Sequence, residues 1–183
     1  MVMPVVVPRY TIAELDRLPD DGNRYELLAG SLLVTPAPGP SHQFTLGRLT
    51  MQLAAFLAPT GSAIVLTPGV IRSGSDTQLE PDLLVVPAAG SDPASWQGVT
   101  DWWLAVEVSG RDSVIYDRDF KRDAYLHLGV REVWRVDLME RAVFVSRRGD
   151  PAESYHVDRL VWHPHEIPSP LIIDLDRIFP QRT

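Results

Sequence analysis

The chain contains no cysteine among its 183 residues, which rules out disulfides and thiolate metal sites and fits a cytoplasmic setting. It has no run of 18 apolar residues, so no membrane-spanning helix is expected. The first eight residues are apolar but hold two prolines and no basic leader, so they do not read as a signal peptide. No internal repeat and no low-complexity segment interrupt the sequence, and residues 1–183 read as one domain. Positive charge is also scarce: 17 basic against 24 acidic residues leave a net charge of −7, which argues against broad electrostatic affinity for nucleic acid, although a basic groove can exist on an acidic protein. Lysine is the rarest cation, because 16 of the 17 basic residues are arginine and the one lysine is Lys121.

What is present centres on residues 102–137. Trp102-Trp103-Leu104-Ala105-Val106 lacks alternation and reads as a strand buried on both faces, leading into Glu107-Val108-Ser109. A buried carboxylate needs a partner, and strand alternation puts Glu107 and Ser109 on one face. Residues 117–128 follow as a helix stopped by Gly129, with Asp117, Lys121, Tyr125 and Leu128 on one stripe, and then Val133-Trp134-Arg135-Val136 forms a second apolar run. An ammonium kept where every other cation is a guanidinium points to a task a compact, flexible donor performs. Upstream, Glu80-Pro81-Asp82 opens another buried strand, residues 83–86, with proline at its start. Two adjacent strands, each offering a carboxylate near an end, can hold a hard divalent cation such as Mg²⁺. A cation with a nearby lysine suits a phosphodiester, whose transition state gathers negative charge.

Elsewhere, Thr11-Ile12-Ala13-Glu14 is a capping box opening a short helix. Residues 25–28 and 31–34 flank Ala29-Gly30 as a β-hairpin. After the stiff loop 36–40, Ser41 caps a helix to about residue 57 with Leu46, Leu49, Leu53 and Leu57 as its core stripe. His42 falls in the first turn, where a phosphate contact or an ordinary hydrogen-bonded histidine are both open. Segments 63–66 and 69–72 read as strands, 73–78 as a polar turn and 88–100 as a surface loop. Residues 142–146 should form a hairpin with 133–136, residues 155–162 an edge strand, and 169–179 a strand followed by a helical turn. His163-Pro164-His165 lacks the spacing of a metal tract.

Taken in order, Arg24-Tyr25-Glu26-Leu27-Leu28-Ala29-Gly30, Pro36-Ala37-Pro38, Ser41-His42-Gln43, Pro81-Asp82, Glu107-Val108-Ser109, Lys121 and the run 129–137 resemble the PD-(D/E)XK nuclease superfamily, and within it the Uma-type restriction endonuclease family of bacteria. The resemblance spans about residues 10–180. In most of the superfamily the lysine stands two residues after the glutamate, where this chain has Ser109; the Uma-type family carries it on the following helix, where Lys121 falls. The family's usual Ser-Pro-Ser turn is replaced by Ser109-Gly110-Arg111, a more flexible sequence.

The resemblance implies an α/β, restriction-endonuclease-like fold: a mixed central sheet with Asp82 and Glu107 on neighbouring strands, helices at about 41–57 and 117–128, and an N-terminal β-hairpin. It implies a metal-dependent endonuclease hydrolysing DNA phosphodiester bonds. In that reading Asp82 and Glu107, helped by the Val108 carbonyl, hold Mg²⁺ or Mn²⁺, Lys121 acts on the attacking water and Glu26 supports the site. His42, Ser109 and Tyr125 are candidates for substrate contact. A lysine beside a cation should be dispensable for folding. The hairpin of residues 133–145 offers an edge for a homodimer. Two other readings are a nuclease fold without cleavage, serving as a DNA-binding or assembly module, and a glycosidase with Asp82 and Glu107 as acid and base.

Overall fold

The computed structural model describes residues 8–91, 95–110 and 120–181. It begins with a single helical turn, α1 (Ile12–Leu15), fixed by the expected capping box: the Glu14 carboxylate accepts both the backbone N–H and the hydroxyl of Thr11. Strands β1 (Arg24–Leu28) and β2 (Ser31–Thr35) form the hairpin, and both Ala29 and Gly30 have the positive φ that a two-residue turn requires. Helix α2 (Pro40–Leu57) starts one residue earlier than the sequence suggests. Its N-cap is Gly39, with Pro40 at the first helical position, where a missing N–H is harmless.

Strands β3 (Ala63–Leu66), β4 (Ile71–Ser73), β5 (Thr77–Leu79) and β6 (Leu83–Pro87) follow. The polar segment 73–78 is shorter as a turn than expected, because Thr77 and Gln78 enter β5 and Gln78 pairs with Leu27 of β1. Strand β7 (Leu104–Ser109) is buried along its whole length, as its unbroken apolar run predicts. Helix α3 runs only from Arg122 to Leu128, with Phe120 and Lys121 in a π-type turn before it; residues 117–119 of the expected helix, Asp117 included, lie outside the described residues. Gly129, at φ 115°, ends α3 in the left-handed conformation, and β8 (Glu132–Asp137) begins three residues later.

Strand β9 (Ala142–Arg147) returns antiparallel to β8. The expected single strand 155–162 is two: β10 (Glu153–His156) pairs with β9, whereas β11 (Arg159–Trp162) leaves the sheet and pairs with β12 (Leu171–Asp174). The edge of β9 is therefore covered by β10 and is not open to a second chain, contrary to the reason given for a homodimer.

These strands make three sheets: a central one of six strands, in the order β10-β9-β8-β7-β6-β3, a four-stranded sheet, β2-β1-β5-β4, and the β11–β12 pair. Only β7 and β8 run parallel in the central sheet, and the connection between them carries α3, as parallel pairing demands. One face of the central sheet packs on Leu49, Leu53 and Leu57 of α2, together with Trp134, Trp162 and Ile173. Trp134 and Trp162 meet edge to face at 5.9 Å. The other face, with Ala105 and Val133, packs on Tyr125 of α3 and on Ile71 and Leu79 of the smaller sheet. Among the described residues no helix is long and apolar enough to cross a membrane.

Candidate active site

Register brings the site together. In the antiparallel β6–β7 pair Leu83 lies opposite Val106, so the next step outward sets Asp82 beside Glu107. Alternation puts both on the face of Leu84 and Ala105, away from α2. Asp82 and Glu107 are 2% and 3% exposed, and each is held by cations and dipoles.

Asp82 Oδ1 accepts Arg24 Nη1 at 2.8 Å, and its Oδ2 meets His42 Nε2 at 2.9 Å and accepts the Val108 N–H at 2.8 Å. Burial pushes the Asp82 carboxyl up, but His42, Arg24 and the Val108 N–H together outweigh it and hold the group below the ordinary aspartate value. Arg24 also donates to the Glu80 carbonyl at 3.2 Å. Burial disfavours its charge, and Asp82 and Glu107 more than restore it.

Glu107 Oε1 accepts Tyr125 OH at 2.5 Å and Lys121 Nζ at 3.3 Å. Lys121 Nζ also lies 2.6 Å from Glu26 Oε2, and Glu26 Oε1 accepts the backbone N–H of Glu80 at 2.7 Å. Glu26, which sequence alone leaves equally well on the surface, is fully buried. The lone lysine thus links the hairpin strand β1 to the central strand β7. A lysine packed in this way is set in a buried ion-pair chain, where a contribution to folding is expected beside any role toward a cation.

Arg24, His42, Asp82, Glu107, Val108 and Lys121 line a cleft of about 340 Å³, walled on one side by residues 34–41 and bordered by Gly110 and Leu138. Ser109 and Tyr125 are fully buried and do not line it. Tyr125 bonds the cleft residue Glu107, and among the described residues the Ser109 hydroxyl has no hydrogen-bond partner. His163, set aside as a ligand from its sequence context, hydrogen-bonds through Nε2 to the Ile167 carbonyl.

Sequence reasoning missed Arg24, although it directly precedes Tyr25 and Glu26 in a strand whose neighbours were assigned. It also missed a second buried pair on the same face. Arg135, opposite Glu107 in the β7–β8 register, donates to Asp137 Oδ2 at 3.0 Å and lies 3.7 Å from the centre of the Phe144 ring. The signal was two charged residues at alternate positions of an otherwise apolar strand.

The carboxylates of Asp82 and Glu107, facing one cleft from neighbouring strands, are hard oxygen donors of the kind Mg²⁺ takes one or two of while keeping its waters. Among the described residues no three histidine, aspartate or glutamate side chains converge as a ready-made cage. The donor set therefore fits a partly hydrated ion, and Arg24 and His42 are the groups that would have to yield room on Asp82.

A family model described as "Putative restriction endonuclease", Uma2, matches residues 12–177. The chain belongs to the Uma2 family. A crystal structure of "a putative nuclease belonging to DUF820" from Anabaena variabilis ATCC 29413 superposes with a TM-score of 0.70 at 17% identity, covering 93% of this chain and 97% of that one. At that identity the likeness establishes the fold. Curated proteins gave no match to this Uma2 chain.

Proposed function

We propose that this Uma2 protein is a metal-dependent endonuclease that hydrolyses DNA phosphodiester bonds, with Asp82 and Glu107 holding Mg²⁺ or Mn²⁺. The observation that carries the reading is the buried Glu26–Lys121–Glu107 ion-pair chain, whose Lys121 and Glu107 line one cleft together with Asp82. A divalent cation there would supply Lewis-acid charge at the phosphoryl group. Lys121 points its ammonium at the same place, where it hydrogen-bonds the attacking water and offsets charge on the phosphorus oxygens. Glu26 and Glu107 orient Lys121 from two sides, and Tyr125 fixes the Glu107 carboxylate from behind. Arg24 and His42, the more exposed partners of Asp82, are placed to transfer their hydrogen bonds to the phosphate.

A second reading, a DNA-binding or assembly module without cleavage, is favoured by one observation: both oxygens of Asp82 are already occupied by protein donors. A glycosidase is disfavoured because it needs one carboxyl kept protonated, whereas Asp82 is held low and Glu107 is ion-paired. The lack of cysteine is in keeping with action in the cytoplasm. A two-fold homodimer belongs to the same proposal, since Val161 and Ile172, cross-strand neighbours on β11–β12, leave apolar surface exposed. Light scattering that returned the mass of a single chain would remove the dimer. The nuclease is tested by incubating the protein with plasmid and single-stranded DNA in Mg²⁺, Mn²⁺ or EDTA. Cleavage in the metals and none in EDTA is expected; binding without cleavage would favour the module.

A further inference from the structure

The cleft is deep, and its walls are chemically unequal. The side chains of Asp82, Lys121 and Glu107 are 2%, 3% and 4% exposed, so the reacting groups lie at the floor. Above them, Pro36, Pro38 and Pro40 have no backbone N–H to offer a phosphate, and their ring-locked φ angles make that wall stiff. Val34 and Ala37 of the same wall are exposed and apolar, and Leu138 borders the opening. Among the described residues lining the cleft the permanent cations are Arg24 and Lys121, both already facing carboxylates.

From this we infer that the cleft admits one unpaired nucleotide, so that the substrate is single-stranded or locally unpaired DNA rather than continuous duplex. The inference rests on the phosphodiesterase reading of the same site. A duplex presents its phosphates on a convex rod, and neighbouring phosphates and the second strand meet the rim before the scissile group reaches the floor. Duplex-binding proteins hold such a rod by donating to many phosphates, and affinity then comes chiefly from released counterions. Among the described residues three of the eight wall positions 34–41 are prolines, which donate nothing, on a chain of net charge −7. A volume of about 340 Å³ falls within the range of small-ligand sites. An apolar wall above a polar floor suits a nucleotide whose base lies against Val34 and Ala37 while its phosphate descends to Arg24 and Lys121. Base faces accept such surfaces with little regard to sequence.

The experiment has a binding arm and a cleavage arm. In EDTA, fluorescence anisotropy compares a labelled single-stranded oligonucleotide with the same strand annealed to its complement. In Mn²⁺, cleavage is compared on a single-stranded circle, a relaxed duplex circle and a duplex carrying an unpaired bulge. Single-stranded and bulged DNA should be preferred over duplex by about tenfold or more, a difference of one decade in the binding constant. With about two phosphates neutralised, the logarithm of single-strand affinity should fall with the logarithm of salt at a slope of only about −1.4. Ala37→Trp, at an exposed wall position, should weaken single-strand binding by about tenfold, as expected when a bulky side chain fills a nucleotide pocket. Equal or better binding and cleavage of relaxed duplex, or an Ala37→Trp protein that binds single strands normally, would overturn the inference while leaving the nuclease intact. Preferential binding of single strands without cleavage of any substrate would instead remove the nuclease reading and keep the ligand. No binding and no cleavage of any DNA would overturn both.

Discussion

Beneath α2, the central sheet buries Val106, Val108, Trp134 and Val136 against Leu49, Leu53 and Leu57. On the opposite face, beside the apolar cluster of Ala105 and Val133, the same two strands bury Glu107, Arg135 and Asp137, with Lys121 and Tyr125 bonded to Glu107. Alternate residues of one strand thus serve two environments. The first face is held by non-directional burial, of the order of 1.5–3 kcal/mol for each large side chain. The second is held by directional pairs in which each charge is tolerated only because its partner is present. An apolar face tolerates change in shape at a graded penalty, whereas a charged one fails when a single partner is lost. The chemistry sits on the face that depends on partners, since reactive groups must be polar and precisely oriented before substrate arrives.

The largest expected effect breaks the polar face. Lys121→Ala and Lys121→Arg should each lower cleavage by about a hundredfold or more, on the scale of general-base and electrostatic contributions. Lys121→Ala should also destabilise the fold by about 3–5 kcal/mol by removing the buried cation that Glu26 and Glu107 share. Denaturant unfolding measures the second effect, and full cleavage by the Arg variant would take the lysine out of the mechanism.

On the apolar face, Leu53→Ala should lower stability by about 2–5 kcal/mol through the cavity it leaves. The cleavage rate of the protein that remains folded should be unchanged. A rate that dropped in parallel with Lys121→Ala would mean that the two faces are not separable in function.

Tyr125→Phe sharpens the contrast, since it keeps the ring of the apolar packing and deletes the hydroxyl that bonds Glu107. A stability loss of about 1.5–3 kcal/mol is expected for a hydrogen bond to a charged group. Weaker Mn²⁺ binding by calorimetry should accompany it if the hydroxyl positions Glu107; unchanged Mn²⁺ affinity would reduce Tyr125 to a packing residue.

The smallest effect comes from Glu80, at the margin of the site. Burial raises its carboxyl above the ordinary value, with Glu26 adding to the shift and the Gln78 amide opposing it. A raised carboxyl stabilises the fold fully below its unfolded value and loses that contribution as pH rises through its folded value. Glu80→Gln should therefore raise stability by up to about 1 kcal/mol near neutral pH and by nothing in acid. Asp82 runs the other way: its carboxyl is held low, so its contribution is complete above about pH 4 and lost as pH falls further. Thermal unfolding of Glu80→Gln and wild type across that range checks the sign.

Much of this was legible because periodicity and local chemistry are written along the chain. The α2 stripe, the buried strands with Asp82 just before one and Glu107 near the end of the other, the Ala29-Gly30 hairpin and the Gly129 helix stop all appear where expected. What failed were choices between neighbouring elements. Whether residues 155–162 join the central sheet depends on Trp162 packing against Trp134 and Phe56, a contact that no local pattern contains.

The sequence by itself determined that Asp82 and Glu107 stand near the ends of buried strands and that Lys121 is unlike every other cation in the chain, because composition and alternation are local properties. Tertiary structure alone decided that Glu26 is buried, that Arg24 and His42 converge on Asp82, and that Ser109 and Tyr125 stand behind the cleft rather than in it. These are contacts between segments tens of residues apart. Their partners are set by sheet register and by which face each strand turns inward, and the price of an unpaired buried charge then selects the one arrangement that satisfies them all.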